Sequence, residues 1–192
     1  MRNVRQILRV DILPTHVILC YFRVLMELPE TESLQNCRLF EGLSHDDVRA
    51  LFGMFEIQRY PKGTILFREG DLSRNIFVVV EGRLGVRKHI IDKKDDNIPL
   101  LPVIAEHGPG ETVGEFSFYD KNPRSAEVYA MADTCVMVLS PETFEHFSDT
   151  SPKLSHAVTV NILRILIHRM RRTNEQLSIA LEWGWEAHGF VK

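Results

Sequence analysis

Residues 114–128, GEFSFYDKNPRSAEV, set a carboxylate and a guanidinium nine positions apart, each beside a residue that fixes the backbone: Gly114 before Glu115, Pro123 before Arg124. Taken alone, the simplest account of such a couple is a structural ion pair. Three features point further. GEFSFY has the look of a single helical turn entered through Gly114, whose free N–H groups and positive dipole end would face whatever sits beside that glycine. Pro123 orders the chain just before Arg124, so the guanidinium is presented with little loss of entropy. A planar, five-donor fork beside a helix N-terminus is the usual physical answer to a phosphate. Glu115 would repel that phosphate, but it can accept a hydrogen bond from a neighbouring hydroxyl. A ligand with one anionic phosphate fused next to a free hydroxyl satisfies both groups, and a 3′,5′-cyclic nucleotide with its ribose 2′-OH is such a ligand.

Those side chains need a rigid frame. The chain has 192 residues, 44% hydrophobic and 26% charged, which suits one globular domain with modest extensions. A formal net charge of -3 and a pI near 6.2 argue against holding nucleic acid through bulk charge, while leaving a local basic patch open. Cys20, Cys37 and Cys135 form no C-x-x-C pair and no even-numbered framework, so they read as buried thiols in a reducing cytosol. Near the N-terminus Arg2, Arg5, Arg9 and Arg23 face only Asp11, and the apolar run VILCYFRVLM is interrupted by Arg23. That run falls short of the roughly 20 residues of a membrane span, and no small-residue cleavage site follows it. Residues 1–33 are therefore an extension, either an amphipathic docking helix or a disordered arm, with Met26 a second candidate first residue.

From Ser33 the text SLQNCRLFEGLSHDDVRALFGMFEIQRYPKG predicts two short helices feeding a strand. Ser44 with Asp46 and Asp47 is an N-cap with acids in the first turn, and Val48, Leu51, Phe52 and Phe55 recur at helical spacing. The period then becomes two. TILFREG, NIFVVVEG, RLGVRKHII, PLLPVIAEHG, AEVYAMA and TCVMVLS are short strand segments between turn signals, the pattern of an antiparallel sandwich or barrel. Gly63, Gly70, Gly82 and Gly110 mark corners that need positive φ, and Asp92–Asp96 reads as a solvated hairpin tip. Ser140 and Pro141 open a short helix. A long one follows over residues 151–183, with Ser151 as cap. On it Leu163, Leu166, Met170, Thr173, Leu177 and Ala180 alternate spacings of three and four, a heptad seam, while Val158, Ile162 and Ile165 form a second stripe. One stripe packs on the β domain and the other meets a partner, unless both belong to a single broad core face.

From Leu34 to Leu181 the chain resembles the cyclic nucleotide-binding domain family, which includes the bacterial catabolite activator protein and the regulatory subunits of cyclic-AMP-dependent kinase. The resemblance rests on LFEGLS, YPKGTILFREGD, IFVVVEGRLGV, GPGETVGEF, NPRSAEV and RMRRTNEQL, in that order. The family's phosphate-binding cassette reads G-E-[LIV]-[AG]-L … P-R-[AST]-A. Here the matching positions are Gly114, Glu115, Phe116, Ser117 and Phe118, then Pro123, Arg124, Ser125 and Ala126. The resemblance implies a mainly β fold with flanking helices: an antiparallel β-roll, a jelly-roll-like double-stranded β-helix, over 34–150, then the long C-terminal helix over 151–183 and a tail over 184–192. It implies that Glu115 holds the ribose hydroxyl and Arg124 the cyclic phosphate, with backbone groups of Gly114, Phe116, Ser117, Ser125 and Ala126 around them. Thr173 and Asn174 would reach the base edge, one of them from a partner subunit. Phe116, Ser117 and Phe118 depart from the aliphatic and small residues of the pattern, and Glu127 stands where a neutral residue is commoner, on a strand face expected to point outward.

Other functions fit less well. A transcription factor of this family carries a helix-turn-helix after the long helix, and the text ending WGWEAHGFVK offers no room for one, so no direct contact with nucleic acid is expected. Trp183 and Trp185 in that tail are expected to pack at the helix end. The eight histidines include no His-x-His pair with a later carboxylate, so no metal and no enzymatic centre is expected. The resulting expectation is a non-enzymatic, cytoplasmic cyclic nucleotide sensor for cAMP or cGMP. It would be a homodimer through the long helix, with an unknown protein partner and no membrane span. The alternatives are a degenerate family member that serves as a dimerisation scaffold, or a partner subunit of a transcription regulator.

Overall fold

The structure, a computed structural model, describes residues 37–91 and 99–187. The extension over 1–33, Met26, Cys20, the Asp92–Asp96 tip and the end of the tail lie outside the described residues. A 3-10 turn at Arg38–Phe40 leads into α1 (His45–Phe52). Ser44 caps that helix reciprocally: its hydroxyl accepts from the Asp47 N–H at 3.2 Å and the Asp47 carboxylate accepts from the Ser44 N–H at 3.3 Å.

Ten strands follow: β1 (Glu56–Tyr60), β2 (Ile65–Phe67), β3 (Ile76–Glu81), β4 (Leu84–Arg87), β5 (Ile90–Ile91), β6 (Pro99–Leu100), β7 (Val103–His107), β8 (Thr112–Val113), β9 (Glu127–Ala130) and β10 (Thr134–Leu139). They build two antiparallel four-stranded sheets, in the orders β1-β10-β3-β8 and β2-β9-β4-β7, with β5 and β6 paired separately. This is the β-roll expected from the sequence. Gly63, Gly70, Gly82 and Gly110 all take positive φ at its corners.

The sheet at the centre of the molecule is apolar on both faces. Ile76, Val78 and Val80 of β3, with Cys135, Met137 and Leu139 of β10, face the helices. Their alternate neighbours Phe77, Val79, Val136 and Val138 face the roll interior. IFVVV and CVMVL are therefore continuous hydrophobic runs rather than half-polar strands, because neither face meets water. Cys37 and Cys135 lie in the helix-side cluster, and burial pushes the Cys37 thiol up to about 11.

α2 (Glu115–Asp120) interrupts the roll between β8 and β9. α3 (Pro141–Thr150) is opened by Ser140, whose hydroxyl accepts from the Thr143 N–H at 3.1 Å. α4 then runs unbroken from Pro152 to Ala187. Val158, Ile162 and Ile165 are buried on the helix-side cluster or beside it, so this stripe is the one that packs on the roll. Leu163, Met170 and Leu177 of the heptad seam are exposed, while Leu166 packs partly against the core. Trp183 is 71% exposed, so it does not pack at the helix end within this chain. No described helix is long and apolar enough to cross a membrane.

Candidate functional site

Thr112 and Val113 of β8 pair with Val78 and Phe77 of β3, and this register delivers the chain to Gly114 at the edge of the roll. Gly114 has φ 91, and a Cβ there would meet Arg124 Nη1 at 2.5 Å and the Asn75 carbonyl at 2.7 Å. Only glycine combines that conformation with so close an approach. α2 begins at the next residue, with Glu115 and Ser117 buried and Phe116 56% exposed.

Arg124 is pinned by its backbone before its side chain does anything. Its N–H donates to the Asp71 carbonyl and its own carbonyl accepts from the Gly70 N–H, each at 2.8 Å. The guanidinium, in a residue only 2% exposed, stacks 4.0 Å from the Phe67 ring centroid. Nη2 donates to Asn75 O at 2.8 Å, Nη1 to Gly114 O at 3.0 Å and Nε to Ser73 Oγ at 3.2 Å. Of five N–H donors, the two remaining ones sit on Nη1 and Nη2. The guanidinium is thus enclosed by carbonyls and aromatic rings rather than held out toward a ligand, because the β2–β3 connection folds over it. Burial lowers its pKa to about 10 against the raising influence of Asp71 and Glu115, so it stays cationic at neutral pH.

Glu115, 3% exposed, is held through one oxygen. Oε1 accepts from the Thr112 hydroxyl and, at 2.9 Å, from Arg169 Nη1, whose other nitrogen reaches the Thr112 carbonyl at 2.5 Å. Oε2 makes no hydrogen bond among the described residues and is the acceptor left for a hydroxyl. Arg169 lies on α4, so the long helix is tied directly to the residue before which the cassette turns. Sequence reasoning missed this arginine. The signal was its place four residues before Thr173, one turn away on the same helical face.

Ser125 is exposed, its hydroxyl unbonded within the described residues, while Lys88 Nζ donates to its carbonyl at 2.8 Å. Ala126 is half-buried. Glu127 lies on the face of β9 opposite Val128 and Ala130, which line the roll interior, yet it is 4% exposed, because it is paired with Arg87, whose guanidinium lies 4.1 Å from the Tyr129 ring centroid. A buried carboxylate at this strand position is tolerated because that cation accompanies it.

A cavity of about 470 Å³ opens between β7, β8 and α4, within the range of small-molecule pockets. Thr112, Arg169 and Thr173 line it together with Ala105, His107 and Glu111, whereas Asn174 is exposed and apart from it. The structure therefore brings Glu115 and Thr173 to neighbouring walls through Arg169 and Thr112. Glu115 and Arg124 themselves do not line the cavity. The described residues contain no group of three or more histidine, cysteine or acidic side chains able to hold a metal ion.

Comparison with known proteins places this architecture. Residues 57–151 match the family model for the cyclic nucleotide-binding domain. The cyclic AMP receptor protein of Thermus thermophilus is 28% identical over 141 residues, which are 73% of this chain and 61% of that protein. The chain thus spans under two thirds of the length of this relative. A cyclic nucleotide-binding domain from Methylobacillus flagellatus superposes with a TM-score of 0.71 at 27% identity, covering 82% of this chain and 85% of the other. The Thermus thermophilus catabolite activator protein superposes with a TM-score of 0.64 at 27% identity, over 74% of this chain and 62% of the other. In fold, in cassette and in sequence, the chain belongs to the cyclic nucleotide-binding domain family.

Proposed function

We propose that this chain is a regulatory module that binds cAMP or cGMP and reports the ligand through α4, without catalysing a reaction. The observation that carries the proposal is the Arg169–Glu115 contact, which joins the long helix to the carboxylate with a vacant Oε2. In this reading the ribose hydroxyl donates to that oxygen. The cyclic phosphate meets the two unused N–H groups of Arg124, the Ser125 hydroxyl and the backbone N–H groups of Gly114, Phe116, Ser117 and Ala126. Thr173 faces the base from the cavity wall, and Asn174 acts across a dimer of two α4 helices. The exposed Leu163, Met170 and Leu177 supply the apolar seam for that homodimer, which works in the cytoplasm on an unknown protein partner. Because a ligand acts only through different affinity for two conformations, the output must be a change in α4.

A second reading, a scaffold that binds no nucleotide, draws on the enclosed state of the Arg124 guanidinium. Calorimetric titration with both cyclic nucleotides separates the two. Saturable binding of either supports the sensor, and Arg124→Lys, which keeps the charge but loses the fork, then weakens it at least tenfold, about 1.4 kcal/mol. Absence of heat with both ligands, in a chain that melts cooperatively, leaves the scaffold.

A further inference from the structure

His107 ends β7 with 9% of its surface exposed, and among the described residues its Nδ1 is the buried side-chain polar atom that has no hydrogen-bond partner. A nitrogen buried in that way costs free energy unless something stands in for its partner. The ring lines the cavity beside α4, and so does Glu111. Glu111 Oε1 faces Nδ1 at 3.7 Å, too far for a direct hydrogen bond. The other carboxylate oxygen accepts from the Gly108 N–H at 2.8 Å, which fixes the orientation of the group.

Two atoms 3.7 Å apart can be bridged by one atom about 3 Å from each, with hydrogen bonds bent by roughly 20°. Glu111 can only accept, so the bridging atom must donate to it. A neutral imidazole can move its proton to Nε2 when such a donor arrives, and Nδ1 then accepts as well. A single nitrogen carrying two N–H bonds fits both. A carbonyl oxygen in the same place would meet the carboxylate lone pair to lone pair. We infer that this corner of the cavity holds the exocyclic amino group of a nucleobase, one N–H donated to Glu111 Oε1 and the other to His107 Nδ1. The inference rests on the cyclic nucleotide reading. In that reading the ribose sits at Glu115, and Thr112 and Arg169, which hold Glu115 Oε1, are walls of this same cavity. The base therefore projects toward residues 107–111.

Cyclic inosine monophosphate tests it, because hypoxanthine differs from adenine by an oxo group in place of the amine and from guanine by lack of the 2-amine. Titration of the full chain with cyclic AMP, cyclic GMP and cyclic IMP is expected to show at least one amino nucleotide binding tenfold or more tightly than cyclic IMP, since a hydrogen bond to a charged group is worth about that or more. Glu111→Ala should shrink the difference to under threefold while cyclic IMP affinity holds. Glu111→Gln, which keeps the side chain's shape, replaces it if the alanine variant melts early. Equal affinity for all three nucleotides overturns the inference and leaves the sensor standing, as a bridging water would then fill the corner. Discrimination that survives both Glu111 variants overturns it too. Failure of all three to bind removes the sensor reading and this inference with it.

Discussion

Between Pro152 and Leu166 the long helix buries Val158, Ile162 and Ile165 to 6% exposure or less, whereas from Ile167 onward its apolar side chains face outward, Met170 at 60% and Leu177 at 56%. The first half is also locked by a polar clamp. Asn161, 2% exposed, donates to the carbonyls of Leu39 at 3.0 Å and Glu41 at 2.9 Å, and accepts from Arg164. The second half has Arg169, which reaches Glu115 and Thr112. One half is therefore part of the core, and the other is a surface helix whose stability depends on what it meets, since most helical stability in proteins comes from packing of an apolar face rather than from propensity. A ligand that touches Glu115 acts where the two halves join.

The largest effect should come from attacking the core half. Ile162→Ala removes a side chain that is 1% exposed, with a cost of about 2–5 kcal/mol from lost burial and the cavity left behind. Leu177→Ala on the outward half should change the stability of the isolated chain by less than about 0.5 kcal/mol. Urea denaturation measures both, and equal losses would mean that the distal half is packed after all.

Next in size is assembly. Leu166 belongs partly to the core, so changing it would disturb the fold as well as any seam. Met170→Glu with Leu177→Glu touches only exposed positions. In a dimer joined through α4 this pair buries unpaired carboxylates and should give monomers in sedimentation that still melt cooperatively, at a temperature lower by whatever the seam contributes. A double variant that sediments as the parent does would remove α4 as the dimer seam.

A smaller effect concerns the joint. If Arg169 transmits the ligand, amide exchange over residues 170–183 should slow on addition of cyclic nucleotide in the parent chain and stay unchanged in Arg169→Met. The Met variant keeps much of the stem's packing and loses both donors to the Glu115–Thr112 wall. Exchange that responds equally in both proteins would place the coupling elsewhere.

These two halves were unequally legible in the amino-acid text. Val158, Ile162 and Ile165 show their inward face by period alone, and the strands show theirs by β-branched runs, because burial acts on every residue of an element. The cassette was legible as a motif, down to the need for glycine at 114. The state of Arg124 was not, since its enclosure depends on Ser73, Asn75 and Phe67, three side chains or carbonyls brought in from some 50 residues away. The burial of Glu127 was hidden for the same reason: its partner Arg87 lies on a neighbouring strand 40 residues earlier. Arg169 and Glu111 lie inside the quoted strings RMRRTNEQL and GPGETVGEF and His107 just before the latter, but no spacing links them, and only the meeting of α4 with β7 and β8 makes them a wall.

The smallest predicted effect tests the charges around that joint. His107, the Gly108 N–H and the nearby Arg169 hold the Glu111 carboxyl down at about 2, against an ordinary value of 4.5. A carboxyl whose pKa is lower in the folded state binds its proton less readily there than in the unfolded chain. Its contribution to stability is therefore complete above 4.5 and is lost as the pH falls through about 2. Glu111 is half-exposed, so water screens the interaction and the contribution is small. Glu111→Gln should melt about 1–3 °C below the parent at pH 6, and the gap should close as both are titrated from pH 5 toward pH 2. Taking the difference between the two proteins cancels the general acid destabilisation they share. A gap that stays constant to pH 2 would mean that the difference between the two side chains does not come from the ionised carboxylate, with Arg169 contributing nothing through charge. The joint would then rest on the Glu115 pair alone.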